Sequence, residues 1–484
     1  MLRAHAVADI RAAEEALMAT LPDGELMQRA ARGLADALGI VPAGDLVVAL
    51  IGPGNNGGDA LYAATHLLDR GVRVDLCLLD DEKVHSDGLA AALAAGAQVV
   101  EAPTEQRWCL DAVLGIGARP GLSGRAEEWA AWIDERRPYT VAVDVPSGVD
   151  IDGGTVPGPS VRADGTVTFG TYKVALLCGP AATRAGAGVP ELVDIGLDAH
   201  LPEPVLEVIE AGDGHLLGPA LSWLDSPVSH KYARGVVGIA AGSDDYAGAA
   251  HLTVAGAQAG TAGMVRFVGT AALCARIIDR APEVVAARPD QPSGRVQAWV
   301  VGPGGGDDAA DQLALALDDA VPVVIDASAL EHLPGTLPVP ALLTPHAGEL
   351  AAMLGVDRDD VEADPLGHAT RASYRWGATV LLKGQRTIVA TQSRATRVNL
   401  TGSSWLGTAG AGDVLAGFAG SLMASGLHPH DAGSLAAFLH GAAGVRANRG
   451  GPVTASAVAS ALPATVAAFL AGTLDDVRDW GVPE

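Results

Sequence analysis

The chain has 484 residues, too many for one ordinary domain and suited to roughly two to four. Hydrophobic residues make up 49% and charged residues 18%, which is enough apolar side chain for packed cores and argues against disorder. The net charge of −25 argues against nucleic acid as a partner, because phosphate backbones reward clustered Lys and Arg.

An anionic small molecule would need local donors working against that field. The cysteines Cys77, Cys109, Cys178 and Cys274 are scattered without C-x-x-C spacing, so neither zinc nor a disulfide framework is expected. That usage suits a reducing, cytoplasmic setting. Asp9, Glu14 and Glu15 stand where a secretory signal would need an apolar core.

In chain order, "DLVVALIG", "RVDLCLL", "AQVVEA", "DAVLGIG" and "TVAVDVPSG" read as buried strands, with helix spacing between them from Leu61 to Leu68 and Leu89 to Leu93. "DGTVTFGTYKVALLCGP" and "ELVDIGL" add further strand-like runs. A Pro-rich stretch, "HLPEPVLEVIEAGDGHLLGPA", marks a boundary at 200–222. The theme then repeats in "RGVVGIAAGS", "AGMVRFVG", "AWVVGPG", "VPVVIDAS", "PALLTPH" and "GATVLLKG", and the chain turns helical from Asp413. Strand–helix alternation implies α/β architecture: two doubly wound domains with parallel sheets, over 1–210 and 222–484. The uncharged stretch from Gly450 to Leu474 is long enough to span a bilayer. It is rich in Ala, Ser, Thr and Gly and interrupted by Pro452 and Pro463, so it reads as a helical hairpin or closing helix, with no membrane as partner.

Ligands in such sheets bind beyond the carboxyl ends of strands. In the first half, "GPGNNGGDA" places Gly52, Gly54, Asn55, Asn56, Gly57, Gly58 and Asp59 after a strand and before a helix starting near Asp59. Glycines let backbone approach a phosphate, and the helix N-terminus supplies N–H donors. "DAVLGIGARPG" gives a second turn, after Asp111, and "VAVDVPSGVD" a third, with Asp144 and Ser147. Asn56, Asp111 and Ser147 offer hard oxygen ligands that suit an alkali or alkaline-earth ion.

In the second half, Gly410, Ala411 and Gly412 can present successive N–H groups to one phosphoryl group, with the Asp413 carboxylate beside it to take a hydroxyl proton. Lys383 ends a strand as a cation for nucleotide phosphates and is followed by Gly384 to Thr387. His346 and Glu349 follow another strand, and the histidine is open between a cap and a ligand contact. Gly302, Gly304, Gly305 and Gly306 allow close backbone approach.

The first set, "GPGNNGGD", "DAVLGIG" and "DVPSG" in order, resembles the NAD(P)HX epimerases, with a Rossmann-like domain over about the first 200 residues. The resemblance implies potassium on Asn56, Asp111 and Ser147. It implies a hydrate site lined by Asn55, Asn56, Gly57, Gly58 and Asp59, by Gly115, Ile116, Gly117, Ala118, Arg119, Pro120 and Gly121, and by a catalytic Asp144; Lys173 stands where the family has a lysine. The second set, "TPHAGE", "KGQRT" and "NLTGSSWLGTAGAGD", resembles the ADP-dependent NAD(P)HX dehydratases of the ribokinase-like superfamily. There the resemblance implies that Ala249, Gly304, His346 and a catalytic Asp413 meet the hydrate, while Lys383, Gly384, Gln385, Arg386, Thr387 and Gly412 hold the nucleotide. "VIDASAL" departs from the family's pattern, with Ser328 at the second aspartate. Expected ligands are the hydrates NADHX and NADPHX and the co-substrate ADP, with magnesium accompanying the nucleotide, and a homo-oligomer is a further expectation. Two alternatives stay open: a kinase for a small alcohol or vitamin precursor, and a first half that is a catalytically idle dinucleotide- or partner-binding module.

Overall fold

The computed structural model describes residues 1–224, 230–448 and 451–475. The chain divides into two compact units, Arg3–Leu206 and one that begins at Glu207 and takes in Met1 and Leu2.

In the first unit, β1 (Leu46–Ile51), β2 (Arg73–Leu78), β3 (Gln98–Val99), β4 (Trp108–Ala112), β5 (Tyr139–Val143), β6 (Gly165–Phe169) and β7 (Glu191–Val193) form a sheet in the order β3-β2-β1-β4-β5-β6-β7. Every pairing is parallel. Val47 to Ile51 are all buried, as they must be in a strand covered on both faces. The order reverses between β1 and β4, which opens the crevice where such sheets bind ligands.

Helices α1 (Val7–Met18), α2 (Glu25–Ala37) and α3 (Asn55–Asp69) lie along that crevice. The α2 stripe Ala30, Ala31, Leu34 and Ala35 is buried at helical spacing and packs on α3. Helix α3 begins at Asn55, not near Asp59. Gly54, at φ +86°, takes the left-handed turn that starts the helix four residues early, so Asp59 projects from its second turn. Strand β4 ends at Ala112, short of the "VLGIG" once read with it. The chain there crosses the end of β1 so closely that a Cβ on Gly52 would sit 1.8 Å from the Val113 carbonyl oxygen. "VALL", read as strand, is a helical turn over Val174–Leu177; a short apolar run does not distinguish the two.

In the second unit, β8 (Val236–Ala240), β9 (Met264–Val268), β10 (Val285–Ala287), β11 (Ala298–Val301), β12 (Val323–Ile325), β13 (Ala341–Leu343) and β14 (Thr379–Leu382) run parallel in the order β10-β9-β8-β11-β12-β13-β14. Beyond β14 the sheet continues antiparallel through β15 (Thr387–Ala390) and β16 (Thr396–Asn399). Neither β15 and β16 nor the edge strand β10 was expected, since runs of three or four residues carry too little periodicity. "KGQRT" is thereby the bend between β14 and β15.

The main helices here are α4 (Ala247–Gln258), α5 (Ala347–Leu354), α6 (Ala411–Ala424), α7 (Pro429–Asn448) and α8 (Ala455–Leu470). The helical region opens at Ala411, two residues before Asp413, because Gly410 at φ +86° starts it. Of the uncharged stretch, Gly450 lies outside the described residues, and the remainder holds the single closing helix α8 with Pro463 inside it. No helix among the described residues is long and apolar enough to cross a membrane.

Helices α4 and α6 interlock through glycines. A Cβ on Gly256 would stand 2.1 Å from the Val414 carbonyl oxygen, and one on Gly417 would stand 1.9 Å from that of Thr253. We expect Gly417→Ala to destabilise the second unit by about 1–3 kcal/mol in urea unfolding, since the obstruction is backbone. Gly248→Ala in the same helix α4, where a Cβ meets nothing within 4 Å, should be neutral or stabilising.

Candidate active sites

The crevice of the first unit is a cavity of about 710 Å³ lined by Gly54, Asn55, Asn56 and Asp59 after β1, by Gly115 to Ala118 after β4, and by Asp144 after β5. Helices α1 and α2 close it with Arg11, Glu14, Leu26, Met27 and Ala30. Gly57, Gly58, Arg119, Pro120 and Gly121 do not line it. A Cβ on Gly57 would sit 2.3 Å from the Gly52 carbonyl oxygen, and one on Gly58 would sit 2.9 Å from Met27 Cε, so both glycines seat α3. Gly121, at φ +85°, donates its N–H to the Gly148 carbonyl and braces the second turn against the third.

Asp144 has φ +68°, a left-handed backbone that Asp tolerates better than most residues and that aims its side chain inward at the strand end. Its Oδ1 accepts from Lys173 Nζ at 2.5 Å, from Thr168 Oγ1 at 3.0 Å and from the Phe169 N–H at 3.3 Å. Lys173 is 1% exposed, and its ammonium also donates to Thr168 Oγ1 and the Phe169 carbonyl, so the buried charge is fully bonded. Burial pushes the Asp59 carboxyl well above the usual range, with Asp144 and Glu14 adding to it and Lys173 opposing. Burial raises Glu14 as well.

Below the cavity floor, Asp111 Oδ1 accepts from Ser147 Oγ at 2.6 Å and Oδ2 accepts from the Ser147 N–H at 2.8 Å. Ser147 Oγ in turn accepts the Leu114 N–H at 2.9 Å. Burial pushes Asp111 up to about 6 despite those donors. The Asn56 carboxamide nitrogen is buried without a partner. Carboxamide oxygen and nitrogen exchange places by a flip, so this orphaned group can equally turn an oxygen toward a cation. Oxygen donors and an unneutralised carboxylate fit a hard monovalent ion.

In the second unit, Gly410, Ala411 and Gly412 open α6, with Asp413 its third residue. Lys383, at the end of β14, donates to Asp326 Oδ1 at 2.8 Å and lies 3.7 Å from Glu349 Oε2. Burial works against the Lys383 charge, but Asp326, Glu349 and Asp413 outweigh it and hold its pKa above the usual range. A Cβ on Gly412 would stand 3.5 Å from Lys383 Nζ and 4.0 Å from Asp326 Oδ2, so lysine, aspartate and amide turn converge. Gly304, at φ +61°, leaves room for Ala249, whose Cβ would otherwise be 2.5 Å away. Gly384 and Gln385 are exposed, and Thr387 Oγ1 donates to the Gly384 carbonyl across the bend. Arg386, in the same bend, is half-buried.

His346 both caps and faces a cavity. Its Nδ1 accepts the Glu349 N–H at 3.1 Å while the Glu349 carboxylate accepts the His346 N–H at 2.8 Å, a reciprocal box at the start of α5. The ring also lines a cavity of about 780 Å³ with Ser328, Glu349, Arg375 and Trp376, which Asp413 and Lys383 do not reach. Glu349 is shared by that cavity and the lysine.

Several residues of these clusters were not anticipated. Asp326 had been passed over for want of the second aspartate at Ser328. Arg11 and Glu14 sit on a helix far in sequence from the turns they face. His440 of α7 is buried and pushed down to about 4 by that burial, with the Ala411 backbone opposing it, so a neutral ring lies beside the first turn of α6.

Burial first, and then the Asp326 charge, lift Asp413 from 3.8 to about 6, with Lys383 opposing. A raised carboxyl costs the fold nothing below its unfolded pKa, and the cost of ionisation grows as pH rises through the folded value. Asp413→Asn should therefore stabilise the second unit at pH 8 by up to about 3 kcal/mol and leave it unchanged below about pH 4, read from urea midpoints at both pH values.

A family model described as NAD(P)H-hydrate dehydratase matches residues 237–463, and one described as YjeF-related protein N-terminus matches residues 23–175. The bifunctional NAD(P)H-hydrate repair enzyme Nnr of Mycobacterium tuberculosis is 42% identical over 441 residues, covering 87% of this chain and 89% of that one. Its counterpart from Mycobacterium leprae is 40% identical over 456 residues, covering 90% and 92%. The crystal structure of an ADP/ATP-dependent NAD(P)H-hydrate dehydratase from Bacillus subtilis, co-crystallised with ATP and Mg2+, aligns with 50% of this chain and 93% of its own at 26% identity and a TM-score of 0.47. With two family matches in series and relatives of this identity along nearly its whole length, the chain belongs to the bifunctional NAD(P)H-hydrate repair enzymes.

Proposed function

We propose that the first unit interconverts the S and R epimers of hydrated NADH and NADPH at C6, and that the second dehydrates the S form at the expense of ADP, giving AMP and phosphate. The observation that carries the reading is the approach of Lys383 to Gly412 in the glycine-rich first turn of the helix that bears Asp413. Such a turn binds a phosphoryl group and keeps a base beside it.

A hydroxide leaves C6 poorly, whereas phosphate leaves well. Asp413, ionised above about pH 6, takes the hydroxyl proton as the terminal phosphoryl moves onto the oxygen. The ring nitrogen's lone pair then expels phosphate, and loss of the neighbouring proton restores the dihydropyridine. Lys383, held charged by Asp326 and Glu349, offsets the negative charge gathering on the phosphates. Ala249 and Gly304 offer a close backbone wall for the hydrate.

Among the described residues no three His, Cys, Asp or Glu side chains converge on one cation position. A magnesium ion arriving on nucleotide phosphates needs only one or two carboxylates, and Asp326 and Asp413 are those beside Lys383. In the first unit, Asn56, Asp111 and Ser147 would hold potassium, which would supply a fixed positive charge under the phosphate turn. The enzyme's partners are then small molecules in the cytoplasm.

Asp413→Ala should abolish ADP-dependent recovery of reduced-nicotinamide absorbance from hydrated NADH, while epimerisation continues. Asp144→Ala should leave dehydration of the S form intact and slow use of the R form to the rate in buffer. A kinase for a small alcohol would instead leave a stable phosphorylated product. Replacing sodium by potassium should raise the epimerisation rate of the wild type several-fold, and Asn56→Ala should remove that response; equal rates in both salts would remove the ion from the reading.

A further inference from the structure

The cavity of the first unit holds more carboxyl groups than the role given to Asp144 uses. Asp144 is already committed. Its Oδ1 takes three donors, one of them the buried Lys173 ammonium. All three fall on Oδ1, leaving Oδ2 to the cavity that Asp144 lines. That oxygen is placed to receive a proton. Departure of the C6 hydroxyl as water requires that a proton reach it.

Asp59 has the opposite character. It projects from the second turn of α3 into the same cavity, on a helix seated by Gly57 and Gly58, and no protein donor among the described residues reaches its carboxyl. The charged groups facing it are Arg11 and Glu14 from α1, Asp23 from the turn after α1, and Asp144 with Lys173. Burial first, and then the Asp144 and Glu14 charges, favour the neutral form of Asp59, with Lys173 opposing. Two carboxyls in one cleft, one bound by an ammonium and the other without a protein donor among the described residues and biased toward its neutral form, are the pair that acid–base chemistry asks for.

Resting on the epimerase reading above, we propose that Asp59 is the general acid of this site and Asp144 the base. The Asp59 O–H gives its proton to the C6 hydroxyl; the C–O bond breaks, water leaves, and the ring nitrogen's lone pair forms a C=N bond to C6. Water then attacks the opposite face, the C=N electron pair returns to nitrogen, and Asp144 Oδ2 takes the proton released. One proton has moved from Asp59 to Asp144 and returns through cavity water or in the reverse turnover.

The test follows purified R-epimer of hydrated NADH in the full-length chain, with the two epimers separated chromatographically over time. Asp59→Asn should slow epimerisation at least about 100-fold and remove the decline in rate that the wild type shows at alkaline pH. Asp59→Glu should recover part of the rate, and Glu14→Gln should cost less than about tenfold. ADP-dependent dehydration of the S-epimer by the same variants reports that the chain is folded. An Asp59→Asn protein as fast as wild type, or a larger loss in Glu14→Gln, overturns the assignment while leaving the epimerase reading intact. A wild type no faster than buffer overturns both.

Discussion

A lysine drawn out of water beside a strand-end aspartate is the interaction around which each unit arranges its site. Lys173 meets Asp144 at 2.5 Å, and Lys383 meets Asp326 at 2.8 Å. A buried ammonium is costly unless its protons find partners, so Lys173, with three acceptors, fixes the loop ends around it, whereas Lys383 is partly exposed and is held by Asp326. Each pairs with one aspartate and leaves a second carboxyl nearby without a salt bridge of its own among the described residues. Asp59 in one unit and Asp413 in the other are those second carboxyls, and both are raised by burial.

The two units differ in what the second carboxyl faces. Asp413 is the third residue of a helix entered through Gly410 and lies beside Lys383, where the proposed phosphoryl group and base would meet. Asp59 stands two residues deeper in its helix, half-buried at the wall of the cavity. Similar parts, displaced by two residues along the helix, thus underlie the phosphoryl transfer proposed for one unit and the proton exchange proposed for the other. The left-handed backbone of Asp144 contributes to the second case by turning a side chain inward just where the strand ends.

Much of this geometry was legible because it is local. A strand, a glycine turn and a helix start follow one another within a dozen residues, so Asn55 to Asp59 and Gly410 to Asp413 announce themselves in sequence. The helix starts were misplaced by two to four residues because a left-handed glycine, not the acidic residue, begins each helix. Arg11 and Glu14 were not legible, since only the packing of α1 brings them to the cavity. Asp326 was discounted on a departure from a family pattern, whereas its charge partner Lys383 shows why it is there. Arg119 to Gly121 belong to the motif but do not line the cavity, and Gly121 braces a neighbouring turn.

The crossing of α4 and α6 has a consequence for how the second unit can vary. At Gly256 and Gly417 the facing atoms are carbonyl oxygens of the partner helix. A neighbouring side chain that obstructs can be trimmed by a compensating substitution, but a main-chain oxygen cannot. These two addresses are closed to drift, and α6 cannot slide along α4 to enlarge the phosphoryl turn. A descendant with a different alcohol to accommodate has to remodel the wall around Ala249 and Gly304 instead.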